Sequence, residues 1–137
     1  KLNDIEKKIL LKGLIEQKIK DIETSKNNIL VDKNVINVRV AKILANYNLD
    51  ENSHKQIKEF MFNKIEINMK WNKLITILFS KKLEINMNEI EEKIKNKNVD
   101  INKKEEMIQK EKTKKINIIS NTFFNEVKRK YLIKNFK

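Results

Sequence analysis

The chain has one glycine, Gly13, and no proline in 137 residues. Tight hairpins, phosphate-cradling loops and dinucleotide folds need glycine for positive backbone angles and for close approach to a ligand. A chain with Gly13 alone cannot build several of them. There is no cysteine, which removes a disulfide framework, a thiolate metal site and a cysteine nucleophile and suits an oxidising space as well as a reducing one. The single histidine, His54, lies in the polar stretch DENSHK and reads as a surface side chain rather than a general base or metal ligand. Only Arg39 and Arg129 are arginines, although arginine is the residue that reads phosphates and bases in a bidentate way. No run of roughly 18 apolar residues occurs, so no segment is expected to span a membrane.

What is present is leucine, isoleucine, lysine, glutamate and asparagine. The length allows one domain with a modest core, and the class expected is all-α. The formal charge is +12, which on its own suggests nucleic acid or an anionic surface. The accompanying isoleucine and asparagine point instead to an AT-rich coding bias, which weakens that suggestion. Adjacent acids such as Glu91–Glu92 and Glu105–Glu106 project about 100° apart on a helix and do not converge as an acid–base pair. No Ser-His-Asp set, phosphate loop or HExxH zinc site is found. The expectation is a protein without enzymatic activity, cofactor or metal.

Helical periodicity sets the organisation. The first helix is expected from Asp4 to about Lys26, with Ile5, Ile9, Leu11, Leu14, Ile15, Ile19 and Ile22 on one broad apolar face. Asn3 or Asp4 can cap it, and Asn27 and Asn28 can end it, because asparagine tolerates the left-handed conformation found at helix ends. Gly13 inside this helix marks either a close helix crossing or a tolerated defect costing about 1 kcal/mol. Asp32 caps a second helix to about Tyr47. The third, from about Lys55 to Ser80, is the longest apolar element. Leu83 and Ile85 link it to a short fourth helix through Ile90 and Ile94. The fifth is expected from about Lys103 to Arg129, with YLIKNF, Tyr131 to Phe136, as one short strand. The architecture expected is therefore about five helices in an irregular bundle around a long central helix.

Residues Lys55 to Asn88 hold Trp71, the only tryptophan, and three of the four methionines. For Ile65, Ile75 and Leu78 the expected role is core. Methionine is flexible and polarisable and repacks against varied partners. Phe60, Met61, Phe62, Met69 and Trp71 therefore read either as plain core or as an adaptable surface for varied partners, with Trp71 equally able to anchor the core.

Two stretches resemble SurA-type periplasmic chaperones. Residues 14–31, LIEQKIKDIETSKNNILV, are similar to the N-terminal domain of that family, where a glycine stands at the place of Asn28. Residues 65–90 are similar to its next landmark through Ile65, Met69, Trp71, Leu74, Leu83, Ile85, Glu89 and Ile90. The tail 116–136, INIISNTFFNEVKRKYLIKNF, resembles the family's returning C-terminal helix and closing strand. The parvulin-type isomerase domain, normally inserted between the fourth and last helices, is missing, with Asn96–Asn102 spanning its place. The strand that precedes the first helix in the family is not in the chain. The resemblance implies one domain over residues 1–137: the N-terminal helices over 1–97, then the returning helix and strand over 98–137. It also implies an ATP-independent holdase for unfolded outer-membrane or secreted polypeptides, acting in the periplasm after a signal peptide has been removed. Its crevice would lie between the third and fifth helices, adding Phe123 to the contact residues, and its assembly is open to a homodimer. The alternative is a basic helical nucleic-acid-binding or scaffolding protein.

Overall fold

The computed structural model describes residues 3–97 and 100–135. These form five α-helices: α1 (Asp4–Lys26), α2 (Lys33–Leu44), α3 (Glu51–Leu78), α4 (Met87–Asn96) and α5 (Lys104–Asn135). A single 3-10 turn, Ile101–Lys103, precedes α5. There is no strand among the described residues, and the fold is all-α as expected.

Each boundary has a local cause. The Asn3 side chain accepts from the Glu6 N–H at 2.8 Å while Glu6 Oε2 accepts from the Asn3 N–H at 2.9 Å, a reciprocal capping box at the start of α1. At its end, Asn28 takes φ 53°, the one positive φ outside glycine among the described residues. The Ile29 N–H then donates to Thr24 O and the Asn28 N–H to Ser25 O, both at 3.1 Å. That pair of bonds is a Schellman motif, and it turns Ile29 inward to 7% exposure. Asp32 caps α2 through the Asn34 N–H at 2.9 Å. The helix stops at Leu44, short of Tyr47, because the Asn46 and Tyr47 N–H groups bond back to Ile43 O and Leu44 O in a tighter turn. α3 begins at Glu51, earlier than Lys55, because Asp50 Oδ1 accepts from the Ser53 N–H at 2.7 Å.

The expected C-terminal strand is not formed. Residues 131–135 continue α5, and Phe136 lies outside the described residues. A lone strand would leave its backbone groups without partners, whereas a helix satisfies its own, and no second strand is available among the described residues.

The chain divides into two compact units. Of the described residues, the first contains 3–74 and 128–135. Its centre is Ile36, Val40 and Leu44 of α2, against which Val31, Leu49, Ile57, Met61, Phe62, Ile65 and Met69 pack. Ile19, Trp71 and Leu74 are buried as well. Thr24, fully buried, donates its hydroxyl to Lys20 O at 2.8 Å and so carries no unsatisfied group. Lys73 Nζ donates to Leu30 O at 2.6 Å, tying α3 to the link after α1. The last turn of α5 belongs to this unit: Tyr131 donates its hydroxyl to Glu23 Oε1 at 2.9 Å and accepts from Lys26 Nζ at 3.2 Å.

The second unit is residues 75–127. It buries Ile75, Ile90, Phe124 and Val127. Asn86 caps α4 by accepting from the Asn88 and Glu89 N–H groups. Lys115 Nζ donates to Glu84 O, and Lys93–Glu111 and Lys104–Glu91 pair at 3.3 Å across α4 and α5. These pairs are exposed, so they contribute little individually. Leu78, expected in the core, is 48% exposed.

Candidate functional site

α1 does not bury the broad face that its periodicity suggests. Of its apolar residues only Ile19 is buried; Ile5, Ile9, Leu10, Leu11, Leu14 and Ile15 are all exposed, Ile5 at 71% and Ile9 at 67%. At 100° per residue these six side chains are spread around the helix rather than gathered in a stripe, so one neighbouring helix cannot cover them all. A run of large apolar side chains on one half-helix is more than the scattered exposure of ordinary surfaces.

Next to this run lies Phe60 of α3, 58% exposed. Ile9, Leu10, Gly13, Leu14 and Gln17 of α1 and Phe60 and Lys64 of α3 line a groove of about 260 Å³. An added Cβ at Gly13 would meet nothing within 4 Å. Of the two readings of this glycine, a close crossing within the described chain is therefore excluded. Further along α1, Lys20 Nζ sits 5.6 Å over the Trp71 ring, and burial pulls its pKa below the usual 10.5, opposed by the Glu16 carboxylate. Lys20 and Trp71 mark where α1 is seated on α3. The exposed apolar half of α1 precedes that seat.

The six contact residues suggested by sequence fall in different places. Met61, Phe62 and Met69 are half-buried against the α2 cluster. Phe62 also reaches a surface depression with Lys55, Lys58, Glu59 and Asn63, and Met69 one with Arg39, Ile43 and Asn68. Trp71, at 2% exposure, has no surface to offer a partner and serves the core. Phe123 is in the second unit, edge-on to Phe79 with ring centroids 5.4 Å apart. Phe60 alone of the six is more than half exposed in an apolar groove. Sequence reasoning passed over the groove's other wall because Ile9 and Leu14 fit a core periodicity, and periodicity does not show whether a partner helix arrives. The available signal was Leu10, which breaks the single face.

His54 is exposed, and among the described residues no group of three or more His, Cys, Asp or Glu could hold a metal. No helix of the described residues is long and apolar enough to cross a membrane. Comparison with known proteins finds no family model, no curated protein and no solved structure that matches the chain.

Proposed function

We propose that this chain is an ATP-independent, chaperone-type protein that holds unfolded polypeptides on the exposed apolar half of α1 and on Phe60. The observation that carries the reading is the exposure of Ile5, Ile9, Leu10, Leu11, Leu14 and Ile15 on α1, some of which line a groove with the exposed Phe60 of α3. Burial of roughly 200–300 Å² of apolar surface by a client segment is worth about 5–7 kcal/mol gross at about 25 cal/mol per Å². Association costs of at least about 4 kcal/mol reduce this to weak, sequence-tolerant binding. That is the regime a holdase needs, since clients must leave. Lysine around the surface keeps complexes soluble.

The resemblance to SurA-type chaperones supports the same reading. Asn28 adopts a positive φ where that family has glycine, and the Leu83–Ile90 link leads into a capped α4 as the family's landmark does. The activity proposed for these residues is holding. The proposed clients are outer-membrane or secreted chains, and the proposed place of action is the periplasm, both on the strength of that resemblance.

The test is aggregation of a denatured β-barrel protein. Equimolar protein should suppress light scattering, and Leu10→Ser with Phe60→Ser, both surface changes, should weaken suppression while leaving the helical signal intact. Unchanged scattering at several-fold excess sinks the reading. The +12 charge carries the second reading, nucleic-acid binding. It requires an affinity for DNA or RNA that falls steeply with salt, whereas apolar capture persists.

A further inference from the structure

Gly13 is the residue that neither the backbone nor the packing explains. It is the only glycine, it lies in the interior of α1, and glycine there is less favourable than alanine. No glycine among the described residues has a positive φ, so conformation does not demand it. Nothing lies within 4 Å of where its Cβ would be, so packing does not demand it either. What the missing side chain does is leave bare helix backbone between Ile9 and Leu10 on one turn and Leu14 and Gln17 on the next, inside the groove bordered by Phe60.

We propose that this groove receives one large apolar side chain of a client segment that carries acidic residues on its flanks, with that side chain resting on the α1 backbone at Gly13. The inference rests on the polypeptide-binding reading and names its preferred client. Size argues for a single side chain: about 260 Å³ is smaller than the roughly 300–1,000 Å³ of small-molecule sites. Charge argues for acidic flanks. Lys64 is the one charged residue lining the groove, and residues 7–18 of α1, which supplies its other wall, hold four lysines against one carboxylate, Glu16. The same charge disfavours a second copy as the occupant, since each chain carries +12.

The experiment uses the whole chain and two fluorescein-labelled short peptides that share a Leu-Phe-Val centre, one flanked by aspartates and one by lysines. Each is titrated by fluorescence anisotropy against the wild-type protein, Gly13→Ala and Gly13→Leu, at low and high salt. The aspartate peptide should bind the wild type at least about tenfold more tightly at low salt, the difference shrinking as salt screens it. Gly13→Leu should weaken that binding about tenfold while raising the melting temperature, because both substitutions improve helix propensity in open space. A gain in stability with a loss of binding cannot come from misfolding. Equal affinity for the two peptides overturns the charge preference, and unchanged affinity in Gly13→Leu overturns the groove. A dimer of the wild type, seen by sedimentation and abolished by Gly13→Leu, assigns the groove to a second copy and also overturns the proposal. If the wild type suppresses aggregation but Gly13→Leu binds the aspartate peptide as the wild type does, this inference fails and the holdase reading stands; if the wild type never suppresses aggregation, the holdase reading itself falls.

Discussion

The Schellman turn at Asn28 gives the sharpest stability prediction. Asn28 holds φ 53°, and the bonds from Ile29 to Thr24 O and from Asn28 to Ser25 O depend on that angle. An alanine there meets the left-handed penalty of roughly 1 kcal/mol or more that asparagine partly escapes through its short polar side chain. Glycine carries no such penalty, but it enlarges the entropy of the unfolded chain by about 0.5–1 kcal/mol, which offsets most of its gain. The expected order is therefore glycine equal to or slightly above asparagine, alanine about 1 kcal/mol below, and valine lower still because β-branching tolerates positive φ worst. With unfolding entropy near 2.1 cal/mol/K per residue, 1 kcal/mol corresponds to a drop of about 3–4 °C for a chain this long, if it unfolds cooperatively. Trp71 is a built-in reporter, being the only tryptophan and 2% exposed, and its emission in urea follows the unit that contains Asn28. Coincident midpoints for the alanine and glycine variants would refute the assignment of a left-handed cap.

Two further perturbations probe the ends of the long helices. Tyr131→Phe removes the hydroxyl that donates to Glu23 at 2.9 Å, which is expected to cost about 1 kcal/mol. Burial raises the Tyr131 phenol above its usual 10.0 despite the Lys26 hydrogen bond, so the donor stays protonated through neutral pH. An unchanged urea midpoint would mean that the last turn of α5 is not held on α1. Asp50 caps α3, and the Ser53 N–H holds its carboxyl below the usual 3.8. Its contribution is thus complete above about pH 4 and is lost as pH falls through the lower folded value. Asp50→Asn keeps the acceptor and should flatten the fall in urea midpoint between about pH 5 and pH 2; parallel curves for the two proteins would remove Asp50 as the titrating group.

The all-α class and the helix order were legible because glycine and proline are almost absent and the apolar residues recur at helical spacing. Asn28 was legible too: asparagine before an apolar link is a stop signal with a physical mechanism, and the turn forms there. The third helix begins at Glu51, four residues before the expected Lys55, because the Asp50 side chain, a legible start signal, caps it by accepting from the Ser53 N–H. The C-terminal turn was misread because YLIKNF alternates. A period of two in so short a stretch competes with the tendency of an existing helix to propagate, and Tyr131 finds Glu23 and Lys26 from a helix. The site was the least legible part. Composition pointed to the methionine-rich middle of α3, yet Met61, Phe62 and Met69 lean on α2. Which apolar face is covered is a tertiary fact, and Ile9 reads the same in a core as in a groove.

That difference between α1 and α3 also bears on how an exposed apolar helix can persist. The first half of α1 makes little use of packing, and a segment of that length is marginal as an isolated helix in water. It is held at both ends instead. The Asn3–Glu6 capping box satisfies the first donors, and the second half is anchored by Ile19, by Thr24 and by the Lys20–Trp71 seat. Helical order is thereby maintained where burial does not supply it, so the proposed client would meet a preformed surface and lose less entropy on docking. Gly13 lies midway along this stretch and works against that order. A residue that weakens a helix already short of packing, and that no contact of its own unit requires, makes physical sense when the surface it leaves open is meant to be occupied.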